Sequence, residues 1–295
     1  MRHRLNGSIV TFGFGTAVVI AVLWGTAPSV VAQTPTMYKA PRAPDGQPDI
    51  SGIWQAFPGA NWNVEEHGTR ASGLESIVGT FLSQPAGLGV VEGGQIPYKP
   101  EALARRNKNY ETRLTYDPTY SDPDDDSGDP EAKCYQGGIP RANYIGMAFQ
   151  ILQSPKIVLM AYEFAGTPRM VHLDPEKAKS PMFYGQDTWM GQSLAHWEEE
   201  TLVVDVKNFS HKTWLDRAGN FYGQGAQVQE RYTRMDPTHL RYEATITDPE
   251  TFTRPWKMSM VLYRRIESNM QLLEFQCIPF AEEFMYEKLK KKPAK

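Results

Sequence analysis

From Lys156 onward, apolar residues tend to fall at every second position, in short runs separated by turn residues. In "THLRYEATIT" (238–247) the alternate set is Leu240, Tyr242, Ala244 and Ile246; in "WKMSMVL" (256–262) it is Trp256, Met258, Met260 and Leu262. A period of two places each set on one face of a strand. The same pattern predicts strands at "KIVLMAYEF" (156–164) and "RMVHL" (169–173), paired across "AGTP". It predicts a second pair at "SLAHWEE" (193–199) and "TLVVDVKNF" (201–209) around a tight turn. "AQVQERYTRM" (226–235) precedes an Asp-Pro turn signal, "WKMSMVLYRRI" (256–266) completes the apolar runs, and "QLLEFQC" (271–277) follows "ESN" as a last strand. No helical period intervenes, so the expected fold is an antiparallel meander. A meander this long buries its apolar face by closing on itself or by packing as two sheets.

Upstream the texture changes. Residues 33–48 are Pro-rich and polar, an extended arm, and "DISGIWQAF" (49–57) either adds a strand or plugs a barrel mouth. Residues 58–98 are Gly-rich and irregular. "PEALARRNKNYETR" (100–113), with Pro at its start and charge throughout, predicts a short surface helix. "DPTYSDPDDDSGDPEAKC" (117–134) is an acidic loop. Its Asp spacing suggests calcium, but the Gly falls at the wrong place and no bidentate Glu follows, which favours a solvated loop. "PFAEEFMYEKLKKK" (279–292) reads as an amphipathic C-terminal helix that could close one end of the barrel. The expected organisation is therefore a leader at 1–32, an arm, irregular segment and short helix at 33–133 packed on the barrel, the barrel at 134–278, and a helix with a basic tail at 279–295.

The leader reading rests on a basic start (Arg2, His3, Arg4), an apolar run from Ile9 to Leu23, and small residues Val30 and Ala32 before Gln33. That is the layout of a secretory signal peptide cleaved near Ala32. The apolar run is short for a span of ~20 residues, so no transmembrane segment is expected after cleavage. The protein is expected to be exported, periplasmic or secreted. Its net charge of −3 and the confinement of "KLKKKPAK" to the tail argue against a nucleic-acid partner. Two cysteines, Cys134 and Cys277, in an exported chain read as a disulfide. It would close a loop of roughly 140 residues, for which the chain-entropy account gives up to ~5 kcal/mol.

Several stretches carry a resemblance. "DISGIWQ", "CYQGGIPR", "FQILQSP", "TWMGQSLAHWEEETLVVDV", "KTWLDRAG" and "YEATITDPETFTRPW" together resemble a large group of uncharacterised exported proteins of environmental bacteria. The match runs from about Asp49 to Cys277. Two departures stand out: Glu199 occupies a turn position where the group tends to carry Gly, and His196 sits where the group varies. The resemblance implies a lipocalin-like β-barrel and export, and brings no established reaction with it.

The candidates for chemistry are few. The five histidines beyond the leader, His67, His172, His196, His211 and His239, form no H-x-x-x-H or H-x-H pair, and no Cys pair has metal spacing, so neither metal nor other cofactor is expected. "GFGTAV" lies inside the leader, and no G-x-S-x-G elbow is present. What remains clusters near strand ends: Tyr162 and Glu163; Trp189, Met190 and Ser193 with His196 and Glu198; Trp214, Asp216 and Arg217; and, mid-strand, Glu230, Arg231 and Glu243.

A carboxylate near an indole inside a barrel would be desolvated and suited to acid–base work. The competing reading makes Asp216, two residues before Ala-Gly, the holder of an Asx-turn, and it treats outward charges as merely solvated. The catalytic candidates are Asp216, His196 and Glu163, and the substrate-binding candidates are Trp189, Trp214, Arg217, Tyr162 and Ser193. "TWMGQS" and "KTWLDRAG" flank the strand pair 193–209, so Trp189 and Trp214 are expected at one mouth of the barrel.

The functional expectation is a cofactor-independent enzyme, a metal-independent lyase, isomerase or hydrolase, acting on a hydrophobic small molecule in the barrel. The alternative is a non-enzymatic carrier or sensor of such a molecule. A barrel filled by its own side chains would favour a third reading, a structural interaction module. The pattern leaves the oligomeric state open.

Overall fold

The computed structural model describes residues 38–70, 84–113, 128–166, 168–179 and 185–278. The leader and the 279–292 helix expected from the sequence lie outside the described residues, as does most of the acidic loop. No helix among the described residues is long and apolar enough to cross a membrane.

Among the described residues the protein is mainly β, with nine strands closed into one barrel in chain order. The strands are β1 (Gly52–Ala56), β2 (Phe149–Gln153), β3 (Ile157–Tyr162), β4 (Pro168–His172), β5 (Gln192–Glu198), β6 (Thr201–Lys207), β7 (Gln227–Arg234), β8 (His239–Thr247) and β9 (Trp256–Arg264). One α-helix is described, α1 (Pro100–Thr112), with Pro at its first position and Glu101 in its first turn. The apolar alternation produces the strands from β3 to β9. Leu240, Tyr242, Ala244 and Ile246 all face inward and are buried, as are Trp256, Met258, Met260 and Leu262.

Two expectations need correction. The sheet is not antiparallel throughout, because β4 and β5 run parallel through Val171↔Ser193 and His172↔Leu194. Parity demands this: strands that alternate direction around a ring must be even in number, so a ring of nine needs a like-directed pair. The seam falls where the connection, residues 173–191, is long rather than a hairpin. Secondly, residues 271–277 form no strand. β9 already pairs with β8 on one side and with β1 on the other, so no ladder edge is left for them. "DISGIWQAF" adds the closing strand β1, which pairs with β2 through Trp54↔Phe149 and with β9 through Trp54↔Arg264.

The β5–β6 turn has Glu199 at φ +50, the left-handed conformation that favours glycine. That accounts for the Gly expected there from the resemblance. The neighbouring Glu200 binds the segment that precedes β1, accepting from the Ala40 N–H (3.1 Å) and pairing with Arg42.

The mouth at which β5 begins, here called the upper mouth, is covered by long connections. Residues 208–226 and the segment before β2 lie across it. Gly138, at φ +70, fits between Thr213 and the Trp189 carbonyl, where a Cβ would come within 2.4 Å of the Thr213 methyl. Gly219, at φ +82, lets α1 pack directly on the 214–221 loop; a Cβ there would sit 2.8 Å from Asn109 and from the Tyr110 nitrogen. The Cys134–Cys277 disulfide is present, with Cα atoms 5.6 Å apart.

Candidate functional site

The inward faces of β3, β4, β5, β7 and β8 place a polar cluster in the middle of the barrel. Arg169 on β4 and Glu230 on β7 form an ion pair, with side chains 2 % and 0 % exposed. Glu230 Oε2 takes the Arg169 guanidinium. Its Oε1 accepts from Tyr232 (2.8 Å), Tyr242 (2.9 Å) and the Asn143 amide (3.0 Å). Tyr162 donates to Asn143 Oδ1 (2.9 Å), and Arg169 Nε donates to Ser193 Oγ (3.0 Å). Asn143 is not on a strand. It sits on the short 3-10 turn Arg141–Asn143, which lowers its side chain into the upper mouth.

Burial sets the electrostatics of the cluster. It pushes the Tyr162 hydroxyl up to about 12 and those of Tyr232 and Tyr242 well above their ordinary value, so all three remain protonated donors. Burial pulls the Arg169 guanidinium down, but the adjoining Glu230 carboxylate outweighs it and keeps Arg169 charged. Aromatic and aliphatic side chains line the lumen around the cluster. Tyr232 and Tyr242 pack with ring centroids 5.0 Å apart, Phe149 and Tyr162 at 5.1 Å, and Met160, Ile151 and Leu240 expose no surface.

A second polar cluster ties the connections over the upper mouth. Asp216 is fully buried. Its Oδ1 accepts from the Ala218 and Asn220 backbone N–H groups (2.9 and 3.1 Å), and its Oδ2 from the Val64 N–H (2.8 Å) and the Asn220 amide (2.7 Å). The Ala218 bond is the Asx-turn. Burial raises the Asp216 carboxyl above its ordinary value while these donors pull it down. Four donors and no acceptor leave nowhere for a carboxyl proton, so the geometry keeps Asp216 ionised at neutral pH.

Arg217 binds Glu131 through two bonds of 2.9 Å and lies over the Trp62 ring at 4.4 Å. Arg141 takes Asp129 (2.7 and 3.0 Å), Glu131 (2.6 Å) and Asn61 (2.8 Å). Burial pushes the Glu131 carboxyl up, but Arg217 and Arg141 outweigh it and bring it to about 2.

The remaining candidates scatter. His196 projects outward from β5 and lies 3.2 Å from Glu198, which also pairs with Arg231 (2.9 Å). Glu163 is buried beyond the end of β3, one oxygen on the Ala148 N–H (3.0 Å) and the other on the Leu273 N–H (2.8 Å). Trp189 packs on Tyr135 at 5.2 Å. Trp214 is buried in a bridge to Phe221. Both tryptophans belong to the upper mouth, where Thr188 pairs with Phe209. The structure therefore brings Tyr162 and Ser193 together in the lumen, and Trp214, Asp216 and Arg217 together in the loop cluster. His196 stands apart from both.

Arg169 and Asn143 are absent from the candidates that the sequence offers. Arg169 had a legible signal, since it shares its strand face with Val171, as Glu230 shares one with Val228 and Tyr232. Opposite charges on two apolar faces must find each other inside a barrel. Asn143, on an irregular segment, had none.

A groove of about 810 Å³ outside the barrel is lined by Glu65–Gly68, Ala86–Leu88 and Gly93–Gln95, and contains none of the predicted site residues. Among the described residues no three His, Cys, Asp or Glu side chains group as metal ligands. Comparison with protein-family models, curated proteins and solved structures finds no match to this chain.

Proposed function

We propose that this chain is an exported, non-catalytic binding protein with a lipocalin-like barrel, its ligand a small molecule with a hydrophobic body and a polar head. The observation that carries the reading is the Arg169–Glu230 pair, ringed by Tyr162, Tyr232, Tyr242 and Asn143 at the centre of an apolar lumen. Desolvating such a pair costs several kcal/mol per ion, and apolar side chains of similar volume commonly serve a core as well or better. Convergent polar groups in an apolar enclosure are what ligand sites contain.

Catalysis is the weaker reading because the buried carboxylates of both clusters, and the candidate Glu163, are already engaged. Glu230 accepts four donors, Asp216 four and Glu163 two backbone amides. Buried carboxylates that accept this many hydrogen bonds from the fold already have a structural role. The polar head of a ligand would instead replace Asn143, the one member of the ring held on a loop.

A packed structural module is the second reading, favoured by lumen side chains that are buried nearly throughout. Titration of the folded protein with dodecanol and dodecanoate, followed by native mass spectrometry and thermal unfolding, separates the two. The binding reading expects one molecule per chain, with stabilisation of about 2.7 kcal/mol at a hundredfold excess over Kd. No complex and no shift up to the solubility limit would leave the packed module.

A further inference from the structure

We propose that the outer face of β2–β4 is the docking surface for the chain's own C-terminal segment, residues 279–292. Outward positions of antiparallel strands are ordinarily polar, and on β7–β9 they carry ion pairs: Arg231 pairs with Glu198 (2.9 Å) and Lys257 with Glu243 (2.6 Å). On β2, β3 and β4 no outward position carries a charged residue type. Leu152, Leu159 and Met170 are directly opposed across the three strands, with Ile157 facing His172 in the next row. Leu152 is 46 % and Met170 57 % exposed. An uncharged apolar patch that spans three strands marks a surface meant to be covered.

The path of the chain identifies what covers it. After β9 the chain returns to the head of this same face. The Leu273 N–H donates to Glu163 Oε1, and Phe275 packs on Phe164 at 5.6 Å; Glu163 and Phe164 immediately follow β3. The disulfide to Cys134 then fixes Cys277 there, one residue before the end of the described chain. The segment that follows is "PFAEEFMYEKLKKK". Read as a helix started by Pro279, it puts Phe280 and Phe284 in one i, i+4 row and Ala281, Met285 and Leu289 in the adjacent one. Fourteen helical residues span about 21 Å, and strands of five or six residues span roughly 17–20 Å. The segment thus starts beside the face, has its length, and offers an apolar stripe to cover it.

The test uses the full, disulfide-bonded chain with the photo-crosslinker p-benzoylphenylalanine in place of Met170. Irradiation should join position 170 to residues 280–289 of the same chain, located by peptide mass spectrometry. Crosslinks only between isotopically light and heavy copies, or none to 279–292, would overturn the proposal. A chain ending at Ile278, which keeps Cys277, gives a second readout. Peroxide oxidation of Met170 should accelerate at least threefold while that of Met235, on the β7–β8 turn, stays unchanged. An unchanged Met170 rate in folded, truncated protein would equally overturn it, and should truncation prevent folding the crosslinking result decides alone.

Discussion

The two buried ionic clusters use the same residue types to opposite ends. Around Arg141, Glu131, Asp216 and Arg217, the partners come from irregular segments far apart in sequence, and several are backbone amides. Connections that lie over a barrel mouth cannot satisfy their amides in a ladder, so side chains satisfy them instead. Around Arg169 and Glu230 all the partners are side chains, most of them on strands whose backbones are already paired. Nothing in the sheet needs them. One cluster holds the fold together. The other is something the fold accommodates, which is why the lumen rather than the polar loops is the better candidate for recognition.

This contrast can be broken at four points. Arg141→Met should have the largest effect, about 4 kcal/mol of lost stability in urea unfolding, because it strands Asp129 and Glu131 without their shared cation in a buried site. A loss below about 1 kcal/mol would show the loop cluster to be incidental.

The pH dependence comes next. Glu131 is depressed from 4.5 to about 2, so its contribution is fully present above pH 4.5 and is lost as the pH falls toward 2. A shift of that size corresponds to roughly 3 kcal/mol. Asp216, raised by burial, works in the opposite sense and gains stability as the pH falls through its folded value. The Glu131→Gln variant should therefore lose stability less steeply than the parent between pH 4.5 and 2, and parallel curves would refute the assignment.

Glu230→Gln should cost about 3 kcal/mol, since Arg169 is left unpaired. The double change Arg169→Met with Glu230→Leu should recover at least half of that loss. If the double variant is as damaged as the single one, the lumen pair is structural after all.

The smallest effect, about 2 kcal/mol, is expected for Asp216→Asn. The amide keeps the shape but turns donors toward the Val64 N–H and the Asn220 amide, or toward the Ala218 and Asn220 N–H groups, whichever way it is flipped. Thermal unfolding no different from the parent would mean that those donors do not depend on the charge.

Much of the fold was legible because a strand records its face in a period of two. The spacing of Leu240, Tyr242, Ala244 and Ile246 suffices to assign them inward, and the Asx-turn at Asp216 follows from its place before Ala-Gly. The disulfide was readable from the cysteine count. The parallel β4–β5 seam was not, because it follows from how many strands close the ring, and β1 joins that ring from nearly a hundred residues upstream of β2. Residues 271–277 carry the same apolar alternation as their neighbours, and only the occupied edges of β9 deny them a partner.

The candidate site was half readable for the same reason. Tyr162 and Ser193 stand out in the sequence for lying near strand ends, and both line the lumen. His196, singled out on the same ground, faces outward, because a single residue step on β5 reverses the side. By itself the sequence determined which faces of the strands from β3 to β9 are apolar, since the alternation is a local property of a pleated backbone. Only the tertiary structure decided which charges meet. The Arg169–Glu230 contact joins residues 61 positions apart, and the Asp216 contact with Val64 joins residues 152 apart. At such separations the partner is set by closure of the barrel and by the path of the loops across its mouth, quantities that no local pattern encodes.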